Sequence, residues 1–286
     1  MSESKMLAVM GSGGCGKTAL CCKLAARLAE KRRNVIVVFC DPFTPAIPYL
    51  LPVGVPHAVS LGHLLTAPVV TQADVLAACV PLEGSEYVSL LGYRARESTL
   101  SYPEIQTEKA AEFFALLRPL ADCIIIDCAT AFEADVVSIM ALRSADRILR
   151  MGGGNLHGVS YFQSHTPMLR DSAYRPEEHL RAMGNIRPGQ EWEAVAEQYG
   201  GADFVLPHTL ELCRQFDELA LFDPLTGKEG AAYNDAVQKI AAAVFGVAEE
   251  PKGKRAPAPP PASGGVSAKK EGFSFGNPFA KRRGEF

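Results

Sequence analysis

Short apolar runs alternate with helical patterns along most of this chain. Residues 6–10 predict a first strand. Residues 35–40 form a continuous apolar run, which is typical of a strand buried on both faces of a parallel sheet, and residues 123–127, apolar up to Asp127, predict another strand of buried type. Between the first two runs, leucines recur at every fourth position and predict a helix over residues 18–31. This alternation predicts an α/β fold with a doubly wound, mainly parallel sheet, helices on both faces and right-handed crossovers.

The same alternation continues to about residue 250. Further strands are predicted at 87–92, 147–151 and 204–206, and further helices at 60–65, 72–79, 104–117, 134–143, 158–170, 191–199 and 231–245. The glycine run at 151–154 lacks the G-x-G-x-x-G spacing that opens a nucleotide-binding helix, and we interpret it as a loop. Residues 1–250 are therefore predicted to form one α/β domain.

The composition is that of a globular protein. The chain has 286 residues, of which 48% are hydrophobic and 21% are charged, and these values exclude a collagen-like, coiled-coil or wholly disordered chain. No stretch of 18 apolar residues could span a bilayer, and no signal peptide precedes the first predicted strand. We therefore expect a cytoplasmic protein that reaches the inner face of the membrane only through partners.

The composition changes after residue 250. Residues 251–265 contain five prolines and three glycines, and they predict a linker that cannot form a core. Residues 251–286 carry a net charge of +6, whereas residues 1–250, the body of the protein, carry −9. The negative charge of the body argues against binding of nucleic acid there. Three interpretations of the tail stay open: an inert disordered end, a segment that docks on a protein partner through its phenylalanines, or a contact with anionic lipid.

One motif indicates a specific chemistry. Residues 11–18 match the pattern G-x-x-x-x-G-K-[ST], after a predicted strand and at the start of a predicted helix. Backbone N–H groups of such a loop surround phosphate, its lysine reaches the β- and γ-phosphates, and its threonine hydroxyl binds Mg²⁺. The residues expected to bind the nucleotide are Gly11, Ser12, Gly13, Gly14, Cys15, Gly16, Lys17, Thr18 and Ala19.

Eight cysteines are spread over the chain without a zinc or disulfide pattern, and we expect buried, reduced thiols. Cys15 lies inside the phosphate loop, at a helix N-terminus that can lower the pKa of a thiol and make it an oxidation switch. We favour the simpler interpretation, in which Cys15 is a small residue at a variable loop position.

Two aspartates follow buried-type strands, and ligands of an open parallel sheet bind beyond the carboxyl ends of its strands. Asp127 is predicted to hold Mg²⁺ together with Thr18, directly or through water. Asp41 is predicted to orient the attacking water, so that Lys17, Asp41 and Asp127 form the candidate catalytic group. The alternative is that each aspartate only caps the turn that follows it.

Together, the loop GSGGCGKT, the strand NVIVVFCDP, and IIIDCAT followed by LRSADRILRM resemble the MinD/ParA family of P-loop ATPases, in the SIMIBI class. Within that family the sequence most resembles the TadZ/CpaE pilus-assembly branch, in particular ParA-like proteins of Firmicutes. The resemblance covers about residues 5–245. It includes FVLPHT, whose Pro207 lies in a segment that borders the adenine in this family.

The resemblance implies a homodimer that closes around ATP and Mg²⁺ and acts as a positional switch. Its implied role is a localisation or assembly factor for a Flp-type pilus or secretion system, beside a secretion ATPase or polar complex. A ParA-type ATPase for DNA or plasmid segregation is the alternative, and it needs a basic surface that the acidic body does not favour. A nucleotide-dependent metabolic enzyme on the same scaffold is a third possibility, for which the sequence shows no additional substrate site.

Three departures from the family pattern affect the expected activity. Ser12 stands where the family carries a signature lysine that reaches the partner's phosphates, and a serine hydroxyl is a weaker contact than a charged amine. Phe39 replaces the first aspartate of a D-x-D pair, and residues 128–130 replace a turn that contains proline. The resemblance with these departures implies an ATP hydrolase of weak or slow activity.

Overall fold

The computed structural model describes residues 4–52, 54–55 and 59–247. The predicted linker and tail at 251–286 lie outside the described residues. Within the part that is described, no helix is long and apolar enough to cross a membrane.

The described residues contain one eight-stranded sheet. Its strands follow the order β3-β4-β2-β5-β1-β6-β7-β8. All neighbouring pairs are parallel except β3 and β4, which are antiparallel. The strands are β1 (Lys5–Gly11), β2 (Val35–Phe39), β3 (Val80–Pro81), β4 (Val88–Leu91), β5 (Cys123–Asp127), β6 (Arg147–Gly153), β7 (His179–Ile186) and β8 (Phe204–Pro207).

Nine α-helices accompany the sheet within the described part of the chain. They are α1 (Lys17–Glu30), α2 (Leu61–Thr66), α3 (Gln72–Ala78), α4 (Thr107–Leu117), α5 (Val136–Ser144), α6 (Leu156–Leu169), α7 (Glu193–Gln198), α8 (Leu210–Asp217) and α9 (Lys228–Phe245). Short polar side chains start several of them. For example, the Asn155 side chain accepts a hydrogen bond from the N–H of Gly158 at the start of α6.

Two hydrophobic clusters cover the two faces of the sheet. Along β1, Leu7 and Val9 belong to one cluster, and Met6, Ala8 and Met10 belong to the other. The first cluster includes the apolar faces of α1 and α9, and the second includes those of α2 to α6. Alternate residues of a strand point to opposite faces, so a central strand buried on both sides must be apolar throughout.

This architecture confirms the predicted doubly wound, mainly parallel sheet with helices on both faces. One local prediction is wrong: the glycine run at 151–154 is not a loop throughout, because β6 extends to Gly153. The ladder continues there because Gly152 and Gly153 pair with Met183 and Gly184 of β7. Strands β3 and β7 and helix α8 were not predicted.

The glycines of β6 and α6 leave room for one aromatic ring. A Cβ added to Gly152 or Gly158 would overlap Tyr199, which follows α7. The Tyr199 hydroxyl donates a hydrogen bond of 2.7 Å to the carbonyl of Gly153. The ring thus fills the space that two side chains would occupy and ties α7 to the end of β6.

Candidate functional site

The residues predicted to bind phosphate and metal and to orient water meet at the carboxyl edge of the three central strands. Strand β5 lies between β1 and β2, and Asp127 at its end is in register with Val9 of β1 and Phe39 of β2. The loop at 11–18 follows β1, and Asp41 lies two residues beyond β2. One sheet edge therefore holds the phosphate loop and both aspartates, as ligand sites of open parallel sheets require.

The loop turns sharply into α1 through two left-handed residues. Gly14 has φ +71° and Gly16 has φ +90°, a backbone conformation that residues with a Cβ rarely adopt. Gly16 is the N-cap of α1, so the unpaired N–H groups of the first helical turn face the loop. This arrangement of backbone donors at a helix N-terminus suits an anion such as phosphate.

Lys17 is held over the loop. Its Nζ donates to the carbonyl of Gly11 at 3.1 Å and to Oγ1 of Thr130 at 3.0 Å. The residue is 8% exposed, and it lines the same depression as Thr18, Asp41 and Asp127. Its charge is thus placed at the mouth of the loop, where the phosphates of a nucleotide would lie.

Thr18 and Asp127 form the pair that was predicted to hold the metal. The Thr18 hydroxyl donates to Oδ2 of Asp127 at 2.5 Å, and Oδ1 of the same carboxylate has no hydrogen-bond partner among the described residues. Burial raises the pKa of Asp127 to about 6, while the nearby Lys17 charge and the Thr18 hydrogen bond lower it. A hydroxyl beside a carboxylate with a buried, unpaired oxygen fits Mg²⁺, which prefers hard oxygen ligands.

Asp41 lines this depression and also caps a turn. Its Oδ1 accepts hydrogen bonds from the N–H groups of Phe43 at 2.8 Å and Thr44 at 3.1 Å. This is the capping arrangement that the sequence left open as an alternative. It uses one carboxylate oxygen, and the position of Asp41 in the wall keeps it within the candidate catalytic group.

An aromatic wall that the sequence did not predict closes the same depression. The rings of Tyr49 and Phe216 lie 5.2 Å apart, and both residues line it together with Ala19. Burial raises the pKa of Tyr49 to about 12, and a hydrogen bond between its side chain and Thr18 opposes that rise. Tyr49 is therefore a neutral hydroxyl beside the proposed metal ligand.

Pro207 lies in a second depression, which adjoins Cys15 and Gly16 of the loop. Asn185 of β7 lines the same depression. Its Nδ2 donates to the carbonyl of Gly14 at 3.1 Å, and its Oδ1 lies 2.7 Å from Nδ1 of His208. The sequence missed Asn185 because the strand that carries it was not predicted.

Ser12 faces inward and not toward the open side of the loop. It is 1% exposed, and its Oγ accepts a hydrogen bond of 3.1 Å from the N–H of Gly153 in β6. Its own N–H donates to the carbonyl of Met151 at 3.1 Å. Ser12 therefore joins the loop to β6, and its side chain contributes no charge at the loop surface.

The cysteines match the expectation only in part. All eight are free thiols, and six are buried, but Cys79 is half-buried and Cys213 is exposed. Burial raises the pKa of Cys15, and the nearby Lys17 charge lowers it less. A raised pKa leaves little thiolate, so the structure supports the interpretation of Cys15 as a small loop residue and not as an oxidation switch.

The segment after β5 is attached to α6. The Tyr161 hydroxyl donates to the carbonyl of Thr130 at 2.8 Å, and the rings of Tyr161 and His165 lie 4.1 Å apart. His165 in turn lies 3.0 Å from a carboxylate oxygen of Glu133. Since Thr130 also contacts Lys17, this segment connects the candidate site to α6.

Comparisons with known proteins show the same fold. A family model described as anion-transporting ATPase matches residues 4–45, which span β1, the phosphate loop, α1 and β2. No curated protein matches the chain by sequence.

Three solved structures illustrate the likeness. The septum site-determining protein MinD of Pyrococcus horikoshii, complexed with Mg-ADP, is 19% identical, with a TM-score of 0.63 over 83% of this chain and 96% of that chain. A ParA family ATPase from Chlorobium tepidum is 14% identical, with a TM-score of 0.68 over 82% of this chain and 98% of that one. A variant of Cyanothece McdA complexed with ATP is 19% identical, with a TM-score of 0.63 over 88% and 100%. This chain therefore has the fold of MinD- and ParA-type ATPases.

Proposed function

We propose that this chain is an ATP-binding protein of the MinD/ParA type that hydrolyses ATP slowly. The observation that supports this most is the arrangement of Lys17 and the Thr18–Asp127 pair around the phosphate loop. The family-model match over 4–45 and the shared fold agree with it.

In this proposal each residue has a defined role. The backbone of the loop and Lys17 hold the phosphates, while Thr18 and Asp127 hold Mg²⁺, which offsets negative charge on the phosphate oxygens. Asp41 orients the attacking water, with one carboxylate oxygen fixed by its turn. Pro207 borders the base, with Asn185 beside it.

The inward position of Ser12 supports slow turnover. Lys17 is the one charged side chain in residues 11–18, and the uncharged Ser12 hydroxyl is already engaged by the N–H of Gly153. In phosphoryl transfer, positive charge near the developing phosphate oxygens accounts for much of the acceleration.

We further propose that the protein acts as a dimeric positioning or assembly factor for a Flp-type pilus or secretion complex. This finer role is supported by the sequence resemblance to the TadZ/CpaE branch. A ParA-type segregation ATPase stays the alternative, and the net charge of −9 over residues 1–250 disfavours the DNA contact that it requires.

The first test is nucleotide binding by Lys17→Ala. We expect the variant to lose Mg-ATP binding in isothermal titration calorimetry, because the phosphates lose their charged contact in a partly buried loop. Lys239→Ala, which removes an exposed lysine of α9, is the matched control and should bind like the wild type. Equal affinity of the wild type and a folded Lys17→Ala variant would show that the loop is not the nucleotide site.

A further inference from the structure

A third depression lies on the side of the phosphate loop that faces β6 and β7. Gly13 and Gly14 form one wall, and the other walls include Gly154, Asn155 and Arg187. Lys17, Thr18 and Asp127 line a different depression, so the loop has a second accessible side.

The turn that carries Arg187 is fixed to the end of β6. The Arg187 N–H donates to Oε1 of Gln190 at 3.0 Å, and the Gln190 side-chain amide donates to the carbonyl of Gly154. The Gln190 N–H closes the turn on the carbonyl of Arg187 at 3.1 Å. The backbone from which the arginine side chain extends is therefore held beside the loop.

The charges in this depression are of one sign. Arg187 is the one ionisable side chain that lines it within the described residues, and its guanidinium has no hydrogen-bond or ion-pair partner there. Asn155 is the N-cap of α6, a helix of 14 residues whose positive end faces the depression. An unpaired guanidinium, glycine backbone and a helix N-terminus together suit an anion.

We infer that this depression is an anion subsite for nucleotide phosphate and that Arg187 is its charged contact. The inference rests on the proposed function, because the phosphate loop supplies the reason for phosphate to be present. Ser12 is uncharged and faces Gly153, so the positive charge on this side of the loop comes from Arg187. A guanidinium can bind phosphate through two parallel hydrogen bonds, which fixes orientation as well as charge.

The phosphate can come from two sources, the nucleotide of the same chain or that of a second copy facing the loop. Contact with the chain's own nucleotide affects the affinity of a monomer. Contact with the partner's nucleotide affects association and leaves the affinity of the monomer unchanged.

The test compares Arg187→Ala, Arg187→Lys and Arg170→Ala with the wild type. Arg170 is an exposed arginine at the other end of α6, about 20 Å away along the helix axis at 1.5 Å per residue. Its substitution removes the same charge without touching the depression. Mg-ATP and adenosine affinities are measured by calorimetry at a protein concentration at which the wild type is monomeric, and mass is measured by light scattering at a higher concentration.

We expect Arg187→Ala to weaken either the Mg-ATP affinity or the ATP-dependent association by about tenfold, with adenosine affinity and the melting temperature unchanged. Loss of monomer affinity assigns the phosphate to the same chain, and loss of association alone assigns it to the second copy. Arg187→Lys should recover part of the loss, and Arg170→Ala should behave like the wild type.

If Arg187→Ala matches the wild type in both measurements, the subsite is refuted while the proposed function stands. If the wild type itself binds no Mg-ATP, the proposed function fails, and the subsite fails with it.

Discussion

At the scale of single residues, two buried side chains, Ser12 and Lys23, make contacts far along the chain that no local pattern reveals, whereas Asp41 makes the local contact that the sequence left open. The Ser12 hydroxyl pairs with a backbone group more than 140 positions away, and Asp41 pairs with its own turn. Lys23 of α1 is 5% exposed, and its amine donates to Oε1 of Gln215 and to the carbonyl of Asp223. Each contact gives a substitution with a defined result.

Ser12→Ala should lower the free energy of unfolding by about 1–3 kcal/mol, because the N–H of Gly153 loses its acceptor in a partly buried place. Chemical denaturation measures the change. Ser160→Ala, at an exposed position of α6, should have almost no effect. Equal stabilities of the two variants would mean that the Ser12 hydroxyl does not support the loop.

Asp41 can be tested with two substitutions that separate its roles. Asp41→Asn keeps a carbonyl oxygen for the N–H groups of Phe43 and Thr44 but removes the charge, so we expect normal stability and slower hydrolysis. Asp41→Ala removes both and should also lose about 1 kcal/mol of stability. Phosphate release and denaturation curves give the two readouts. Normal hydrolysis in Asp41→Asn would leave the residue with a capping role alone.

Lys23 predicts a dependence of stability on pH. Burial lowers the pKa of its amine to about 8, whereas an unfolded chain keeps the ordinary value near 10.4. Between these values the unfolded state binds more protons, so this group makes the free energy of unfolding rise with pH across that window. Relative to Lys23→Met, the wild type should gain on the order of 3 kcal/mol from pH 7.5 to pH 10.5. Denaturation curves at four pH values test this, and parallel trends for the two proteins would contradict it.

At the scale of secondary structure, the elements with strong local patterns were the ones that the sequence could predict. Strands β1, β2 and β5 consist mainly of buried apolar residues, and each of their predicted ends lies within one residue of the observed end. Strand β7 was missed because the four apolar residues of its sequence, HLRAMGNI, are interrupted by Arg181, Gly184 and Asn185 and form no continuous run. Arg181 is accommodated by Asp203, a contact over 22 positions that no local pattern indicates.

The same holds for the candidate site, where residues marked by a local sequence pattern were predicted and the others were missed. The phosphate loop and Asp127 were predicted because a motif and a strand end mark them. Asn185 and Arg187 come from the unpredicted β7 and the turn after it, so the sequence could not bring them to the loop. Tyr49 was missed because a short 3₁₀ helix (Ile47–Tyr49) places it beside the site, and that helix carries no motif.

The link between the Thr130 segment and α6 predicts a local effect of Tyr161→Phe. Without the hydroxyl, the carbonyl of Thr130 loses its donor, and the segment at 128–135 should open more often. Hydrogen exchange should therefore speed up in 128–135 and stay unchanged in β1 and β5. Tyr87→Phe, at a position with no such hydrogen bond in the described structure, serves as the control. Equal exchange rates at 128–135 in the wild type and in Tyr161→Phe would show that this hydrogen bond does not hold the segment.

At the scale of the whole molecule, the sheet order places the candidate site in the middle and leaves the chain's later strands at one edge. Strands β5, β1 and β6 are adjacent, so the loops that follow them share one surface. A second copy facing this surface would meet the phosphate loop, the Thr130 segment and Arg187 together. Nucleotide binding and the association of two copies would then be coupled, because both involve this surface.

We therefore expect ATP with Mg²⁺ to double the molar mass in light scattering, with ADP leaving a monomer. Lys17→Ala should remain monomeric with either nucleotide, because it cannot hold the phosphates that bring the surfaces together. A mass that is the same with ATP, ADP and no nucleotide would refute the positional switch and leave nucleotide binding to be judged by calorimetry.

The ring of Tyr199, in the place that side chains at 152 and 158 would take, limits the routes by which this sequence can change. An alanine at Gly152 or Gly158 overlaps the ring while Tyr199 is present. Losing the ring first leaves a cavity and an unpaired Gly153 carbonyl. The three positions are thus epistatic, and drift at any one of them must pass through a less stable protein before the other two can adapt.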